Sequence, residues 1–125
     1  MIPSGTTLSV GNGTDPACVI LNSKSGARSA IKGEGTLAFG ASEGVIVANQ
    51  GTGYAAGAIV NAKISGSAGL TLSSVPTLKL GSDTLPVIYL GSANDYSGGT
   101  WISSAQVIPG NDDAFGTGDV YLSDS

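Results

Sequence analysis

Leu90–Leu122 reads LGSANDYSGGTWISSAQVIPGNDDAFGTGDVYL, and this stretch decides the fold. Short apolar runs alternate with dense turn chemistry. Asn94-Asp95-Tyr96-Ser97-Gly98-Gly99 precedes one run, while Gly110-Asn111-Asp112-Asp113 and Gly116-Thr117-Gly118-Asp119 flank another. Each run holds about one short strand, and Gly, Asn and Asp let the chain bend sharply between runs. Strands so short and so regularly interrupted make no wide sheet alone. They suit a coil whose successive turns stack, each strand pairing with its equivalents above and below.

The rest of the chain follows the same style. Apolar runs of mostly two to five residues recur, among them Leu8–Val10, Cys18–Leu21, Leu37–Phe39, Val45–Val47, Ile59–Val60, Leu78–Leu80, Leu85–Leu90 and Val120–Leu122. Alternation in Leu70-Thr71-Leu72, Leu78-Lys79-Leu80 and Val120-Tyr121-Leu122 points one set of side chains inward. Thr7-Leu8-Ser9-Val10-Gly11, Thr36-Leu37-Ala38-Phe39-Gly40 and Thr77-Leu78-Lys79-Leu80-Gly81 share the form Thr-Leu-x-apolar-Gly, and Val87–Gly91 is a looser fourth copy. Unequal intervals make this a degenerate repeat, the trace that a solenoid leaves in sequence. The rival reading is an antiparallel β-sandwich, which short strands at regular spacing also suggest.

Leu90, Gly91, Asn94, Tyr96, Gly98, Gly99, Thr100, Ala114, Gly116, Gly118, Val120 and Leu122 match a known pattern. On these residues the chain resembles the autotransporter-associated β-strand repeat of bacterial autotransporter passenger domains. Ile64–Leu72 resembles the run that often precedes that motif, so the match spans 64–122, about half the chain. Departures are Asp95 for a usual threonine, Trp101 for a small or polar residue, Ala105-Gln106-Val107 for Gly-Thr-Leu, and Phe115 for leucine. The resemblance implies an all-β, right-handed parallel β-helix of about four to six coils, with 1–125 a single domain or a fragment of a longer passenger. It implies a structural, adhesive segment exposed on the bacterial cell surface or secreted, with the secretion signal and membrane barrel outside these residues. Asn94, Tyr96, Gly98, Gly99, Thr100, Ala114, Gly116 and Gly118 are then structural motif positions. A host or cell-surface glycan or protein is the expected partner, and the open ends of the helix expect a continuing chain or self-association. A phage or virion fibre, or another self-assembling filament module, is the alternative role.

Composition narrows the chemistry. The chain has 125 residues, 20 glycines and only 11% charged residues, which favours strands and turns over charged amphipathic helices. Its hydrophobic fraction of 41% is enough to expect folding. Net charge is −4 and no basic residue follows Lys79, so nucleic acid is not an expected partner. No apolar run approaches the roughly 20 residues of a spanning helix, so membrane insertion by this segment is not expected. The start, Met1–Gly5, has neither the basic nor the apolar region of a signal peptide. Cys18 is the lone cysteine and forms no intrachain disulfide.

Histidine is absent, which removes the commonest general base and the usual triad. Gly40-Ala41-Ser42-Glu43-Gly44 matches the nucleophile-elbow spacing, but that device needs a histidine base and a following helix. Ser29-Ala30-Ile31-Lys32 matches Ser-x-x-Lys without the companion motifs. Carboxylates are the only catalytic candidates left: Asp112 and Asp113, with Asp95 or Asp119, could in principle supply an acid and a base for cleaving a glycosidic bond, a second alternative that requires two carboxyl groups facing one cleft. Gly11-Asn12-Gly13-Thr14-Asp15 resembles part of a calcium β-roll repeat, yet no second copy completes an oxygen shell. Gly51-Thr52-Gly53 and Gly116-Thr117-Gly118 lack the strand-to-helix context of a nucleotide loop. The expectation is no catalysis, no cofactor and no metal. Among the aromatics, Trp101 is the one the pattern does not ask for, and it is a possible surface contact.

Overall fold

Two-residue alternation governs the strands. In Val87-Ile88-Tyr89-Leu90, Ile88 and Leu90 are fully buried while Val87 and Tyr89 are half-buried. Successive strand side chains point to opposite faces, so one face of such a run must meet a core. The computed structural model describes residues 2–22, 29–49, 57–75, 87–103 and 105–123. These form β1 (Thr7–Ser9), β2 (Ala17–Asn22), β3 (Ser29–Ile31), β4 (Thr36–Ala38), β5 (Gly44–Asn49), β6 (Gly57–Val60), β7 (Lys63–Ser65), β8 (Leu70–Val75), β9 (Val87–Leu90), β10 (Thr100–Ser103), β11 (Gln106–Pro109) and β12 (Val120–Ser123). The described residues are all-β, with no helix, and accordingly none of them forms a helix long and apolar enough to cross a membrane.

The strands make three sheets, ordered β1-β4-β7, β12-β10-β8-β5-β2 and β11-β9-β6-β3. Every pairing among them is parallel. The antiparallel sandwich is therefore not what forms. Parallel neighbours need a crossover between them, and here the other two sheets supply it. The chain visits the first, second and third sheets in turn as β1-β2-β3, β4-β5-β6 and β7-β8-β9, then passes through β10, β11 and β12. Each strand lies beside the one laid down on the previous visit to its sheet.

On its last two passes the first sheet has no strand, yet its place is filled. Asp95 and Ser97 donate backbone bonds to the carbonyls of Ile64 and Gly66, both at 3.1 Å, and Thr117 donates to Tyr96 O at 3.1 Å. The turn-rich segments around Asn94–Ser97 and Asn111–Thr117 thus continue the ladder without regular strand geometry.

Register follows the inward apolar columns. Leu8, Leu37 and Ile64 align in the first sheet, and Val19, Ile46, Leu72, Ile102 and Leu122 align in the second. Val60 and Leu90 align in the third. Most of these belong to one buried cluster that also holds Phe39, Tyr96 and Ala114. Removing that apolar surface from water, at about 25 cal/mol per Å², drives the stacking.

The Thr-Leu-x-apolar-Gly repeat is in part a register mark. Thr7 and Leu8 lie directly on Thr36 and Leu37. At the next level the aligned residues are Lys63 and Ile64, which lack the signature, and the looser copy at Val87 belongs to the third sheet. An inward apolar residue holds the register, whereas the preceding threonine is dispensable. The copy at Thr77–Gly81 lies outside the described residues, as do Leu85, Tyr54 and Gly51-Thr52-Gly53.

Candidate functional site

The densest polar construction in the interior is built around Asn94. This side chain is buried, and its amide reaches two other levels. Asn94 Oδ1 accepts from Ile64 N at 2.7 Å, and Asn94 Nδ2 donates to Ala114 O at 2.7 Å. The partners fix the amide orientation, because a backbone N–H only donates and a carbonyl only accepts. Asn94 N also donates to Asp113 O at 3.0 Å. One residue therefore ties together segments 30 residues upstream and 20 downstream.

Tyr96 and Thr100 form the second part. Both are buried, and Tyr96 OH and Thr100 Oγ1 share a hydrogen bond of 2.6 Å. Thr100 Oγ1 donates to Phe115 O at 3.4 Å. Either hydroxyl can be the donor in the Tyr96–Thr100 bond. Burial pushes the Tyr96 phenol above its ordinary range, and the Thr100 bond opposes that rise. Ala114 is fully buried beside this pair. Among the described residues no buried side-chain nitrogen or oxygen lacks a partner.

The motif glycines sit where backbones cross. A Cβ on Gly98 would overlap the Gly69 amide nitrogen and the Ala68 carbonyl carbon. At Gly116, φ is +66° and a Cβ would overlap Tyr96 O. Gly99 and Gly118 lie one above the other at the corner that leads into β10 and β12. The eight motif positions read from sequence thus gather in one corner of the fold, linking Ile64, Gly66 and Gly69 to the two later levels.

Trp101 lies on the outer face of the second sheet at 41% exposure. Its cross-strand neighbour is Tyr121, and the two rings stack with centroids 5.1 Å apart and planes 19° from parallel. The edge of Trp101 covers Gly69. Tyr121 is the partner that sequence reasoning did not assign to Trp101, because its alignment depends on register. Beside this pair Thr71 Oγ1 donates to Glu43 Oε1 at 2.8 Å.

The acidic candidates are dispersed. Asp95 pairs with Lys63 at 2.9 Å on the surface. Asp112 and Asp113 are exposed in a turn, and Asp119 is exposed just before β12. An open cleft of about 490 Å³ is lined by Pro109, Gly110, Asn111, Asp112 and Phe115, with Asp112 its single carboxylate. Asp113 acts through its backbone: its carbonyl accepts from Asn94 N and from Gly116 N at 3.1 Å, and its own N–H donates to Asn111 Oδ1 at 3.0 Å.

Gly11–Asp15 folds as a local turn. Asn12 Oδ1 accepts from Thr14 N and Asp15 N, and Asn12 Nδ2 donates to Asp15 Oδ2 at 2.9 Å. Ser42, the serine of the elbow-like spacing, is buried and accepts from Gly13 N at 2.8 Å. Its hydroxyl anchors that turn to the next level, and no motif in sequence signals this role. Ser29 lies in β3 and Lys32 is exposed just beyond it. The described residues contain no group of three or more His, Cys, Asp or Glu able to hold a metal ion. No family model matches the chain, and neither a curated protein nor a solved structure does.

Proposed function

We propose that the chain is a right-handed parallel β-helix that serves as a structural, adhesive segment of a bacterial surface-exposed or secreted passenger of the autotransporter type. The observation that carries this reading is the repeated circuit of three parallel sheets, joined across levels by Asn94 at a motif position. Right-handedness follows from the twist of strands, which makes about 98% of parallel crossover connections right-handed. Counting the two strandless passes, the chain makes four full coils and part of a fifth. At about 4.8 Å per level the column rises roughly 20 Å.

The same features favour a scaffold over a catalyst. Among the described residues every buried side-chain nitrogen and oxygen has a hydrogen-bond partner, and of the turn carboxylates Asp112 alone lines the cleft beside Pro109 and Phe115. A rigid column holds a surface such as Trp101–Tyr121 away from the membrane, and its folding outside the cell pulls the chain outward. The test places residues 1–125 between a secretion signal and an outer-membrane β-barrel. A membrane-impermeant thiol dye then reads exposure of Cys18, which is exposed in the folded chain. Wild type should label at the surface, and Asn94→Ala should export less because its folding is weaker. A wild-type chain that stays inside, or export indifferent to Asn94→Ala, refutes the role.

A further inference from the structure

Trp101 is a large ring held in place on an open face. It stays 41% exposed although β8 and β12 lie on either side of its strand. Its exposure therefore belongs to the outer face of the sheet and not to an end of the column. Val45, Thr71, Trp101 and Tyr121 form one outward column across the second sheet, and Val47, Ser73 and Ser103 lie in the next. None of these residues carries a charge.

The ring is positioned before anything binds. A Cβ on Gly69 would overlap Cζ3 of Trp101, so the absence of a side chain there gives the indole its resting place. Gly99, at φ +100°, lies beneath both rings: a Cβ there would stand 3.4 Å from Trp101 Cη2 and from Tyr121 Cε2. Tyr121 stacks on one face of Trp101 from the β12 side. The opposite face is turned toward β8, where Thr71 stands directly across from Trp101. A ring already fixed by these contacts loses little side-chain freedom when a ligand lands on it.

The polar edge beside that face only accepts. Thr71 has one hydroxyl proton and gives it to Glu43 Oε1 at 2.8 Å. Thr71 Oγ1 and the exposed carboxylate of Glu43 are left as acceptors, so a ligand must bring donors. Among the described residues the basic side chains are Lys32, beyond β3 on the third sheet, and Lys63, in β7 of the first. An anionic ligand therefore finds no counter-charge on this face. A cation is not favoured either. Rings 5.1 Å apart and 19° from parallel form a layer, not the converging cage that encloses an ammonium group.

Resting on the adhesive reading above, we propose that Trp101, Thr71 and Glu43 form a contact site for a neutral pyranose glycan. The C–H face of one sugar ring stacks on the free face of the indole, and its hydroxyls donate to Glu43 and Thr71. A flat uncharged ring with C–H groups on its faces and O–H donors on its rim matches both halves of the site.

Trp101 is the single tryptophan of the chain, so its fluorescence reads the site directly. Cellohexaose, mannohexaose and galactohexaose are the neutral probes, with a heparin hexasaccharide and choline as the anionic and cationic comparisons. At least one neutral probe should change the emission saturably, while heparin and choline leave it unchanged. In isothermal titration calorimetry with that probe, Trp101→Ala should weaken binding at least about tenfold. Glu43→Gln, which leaves the ring packing in place, should weaken it about three- to tenfold. Both variants should keep the wild-type far-UV circular dichroism spectrum. Silence with all three neutral probes overturns the proposal, as does a response to choline or heparin equal to the best of them, or neutral binding unchanged in both variants. The export assay above reads the structural role separately. A chain that is exported yet binds no neutral glycan overturns this contact and leaves the surface-segment reading standing, whereas a chain that stays inside overturns that reading whatever it binds.

Discussion

Replacing Asn94 with alanine removes a side chain that bonds both to an earlier level and to a later one. Two buried backbone groups lose their partners: Ile64 N–H, bonded at 2.7 Å, and Ala114 C=O, bonded at 2.7 Å. Each orphaned buried group costs about 1–3 kcal/mol. Asn94 itself is 5% exposed, so water has little access to repair the loss. The expected destabilisation is about 4 kcal/mol, a large share of the roughly 5–15 kcal/mol that holds a small domain together. Urea unfolding followed by far-UV circular dichroism measures it. Amide hydrogen exchange adds a local readout, because Ile64 should lose protection more than its neighbours in β7.

Asn94→Asp sharpens the test. The carboxylate keeps the acceptor for Ile64 N but sets a second oxygen against Ala114 O. Burial raises the carboxyl pKa of that variant, since desolvation disfavours the charged form. A folded pKa raised above the unfolded value stabilises below the unfolded pKa and is lost as pH rises through the folded one. Asn94→Asp should therefore approach wild-type stability in acid, where the protonated group can donate to Ala114 O, and fall away toward neutral pH. A loss under about 1 kcal/mol for Asn94→Ala, with Ile64 still protected, would refute the inter-level tie.

Tyr96→Phe should cost about 1 kcal/mol at neutral pH through the lost bond to Thr100. Because burial raises the Tyr96 phenol, wild-type stability holds below the unfolded value near pH 10 and then falls by up to about 1.4 kcal/mol per pH unit as the unfolded phenol ionises; unfolding curves should show a shallower alkaline fall in Tyr96→Phe. Gly98→Ala forces a Cβ into the backbone of Ala68 and Gly69, and should lose about 3 kcal/mol or more in urea melts. Trp101→Ala removes a stacked ring from a half-exposed face; the expected loss is about 1 kcal/mol, with a changed near-UV circular dichroism signal. Lys63→Ala opens an exposed ion pair and should change stability by less than about 1 kcal/mol.

The strands were legible because their inward residues alternate with outward ones, whereas their parallel stacking was not, since the same short strands also suit an antiparallel sandwich. Leu37, Ile64, Leu72 and Leu90 all lie in short runs bounded by turn residues, and all are fully buried. Register was legible only where a signature repeated, at Thr7-Leu8 and Thr36-Leu37. Elsewhere it depends on turn lengths, which differ from level to level. The ring pair of Trp101 and Tyr121 was hidden for that reason, since 20 residues separate two side chains that only register brings together. Ser42 was hidden for another. A serine whose hydroxyl accepts a bond from a distant glycine has the same local sequence as one that does nothing.

The motif is densest where the first sheet has no strand, and the bonds explain why. At Ile64 the carbonyl is satisfied by a backbone donor, Asp95 N, but the amide is satisfied by a side chain, Asn94 Oδ1. A regular strand would satisfy both from backbone, and almost any residue that suits a pleated surface would then serve. Where the strand is missing, the ladder needs a side chain that accepts on one side and donates on the other. Of the uncharged short side chains, only the Asn amide does both in a fixed plane. The turn that follows must pass close under the previous level, which leaves Gly98 no room for a Cβ. Residue identity is thus constrained most where secondary structure is least regular. That is why Asn94, Tyr96, Gly98 and Gly116 can be picked out in the sequence, whereas the strand residues beside them are fixed only in apolar character.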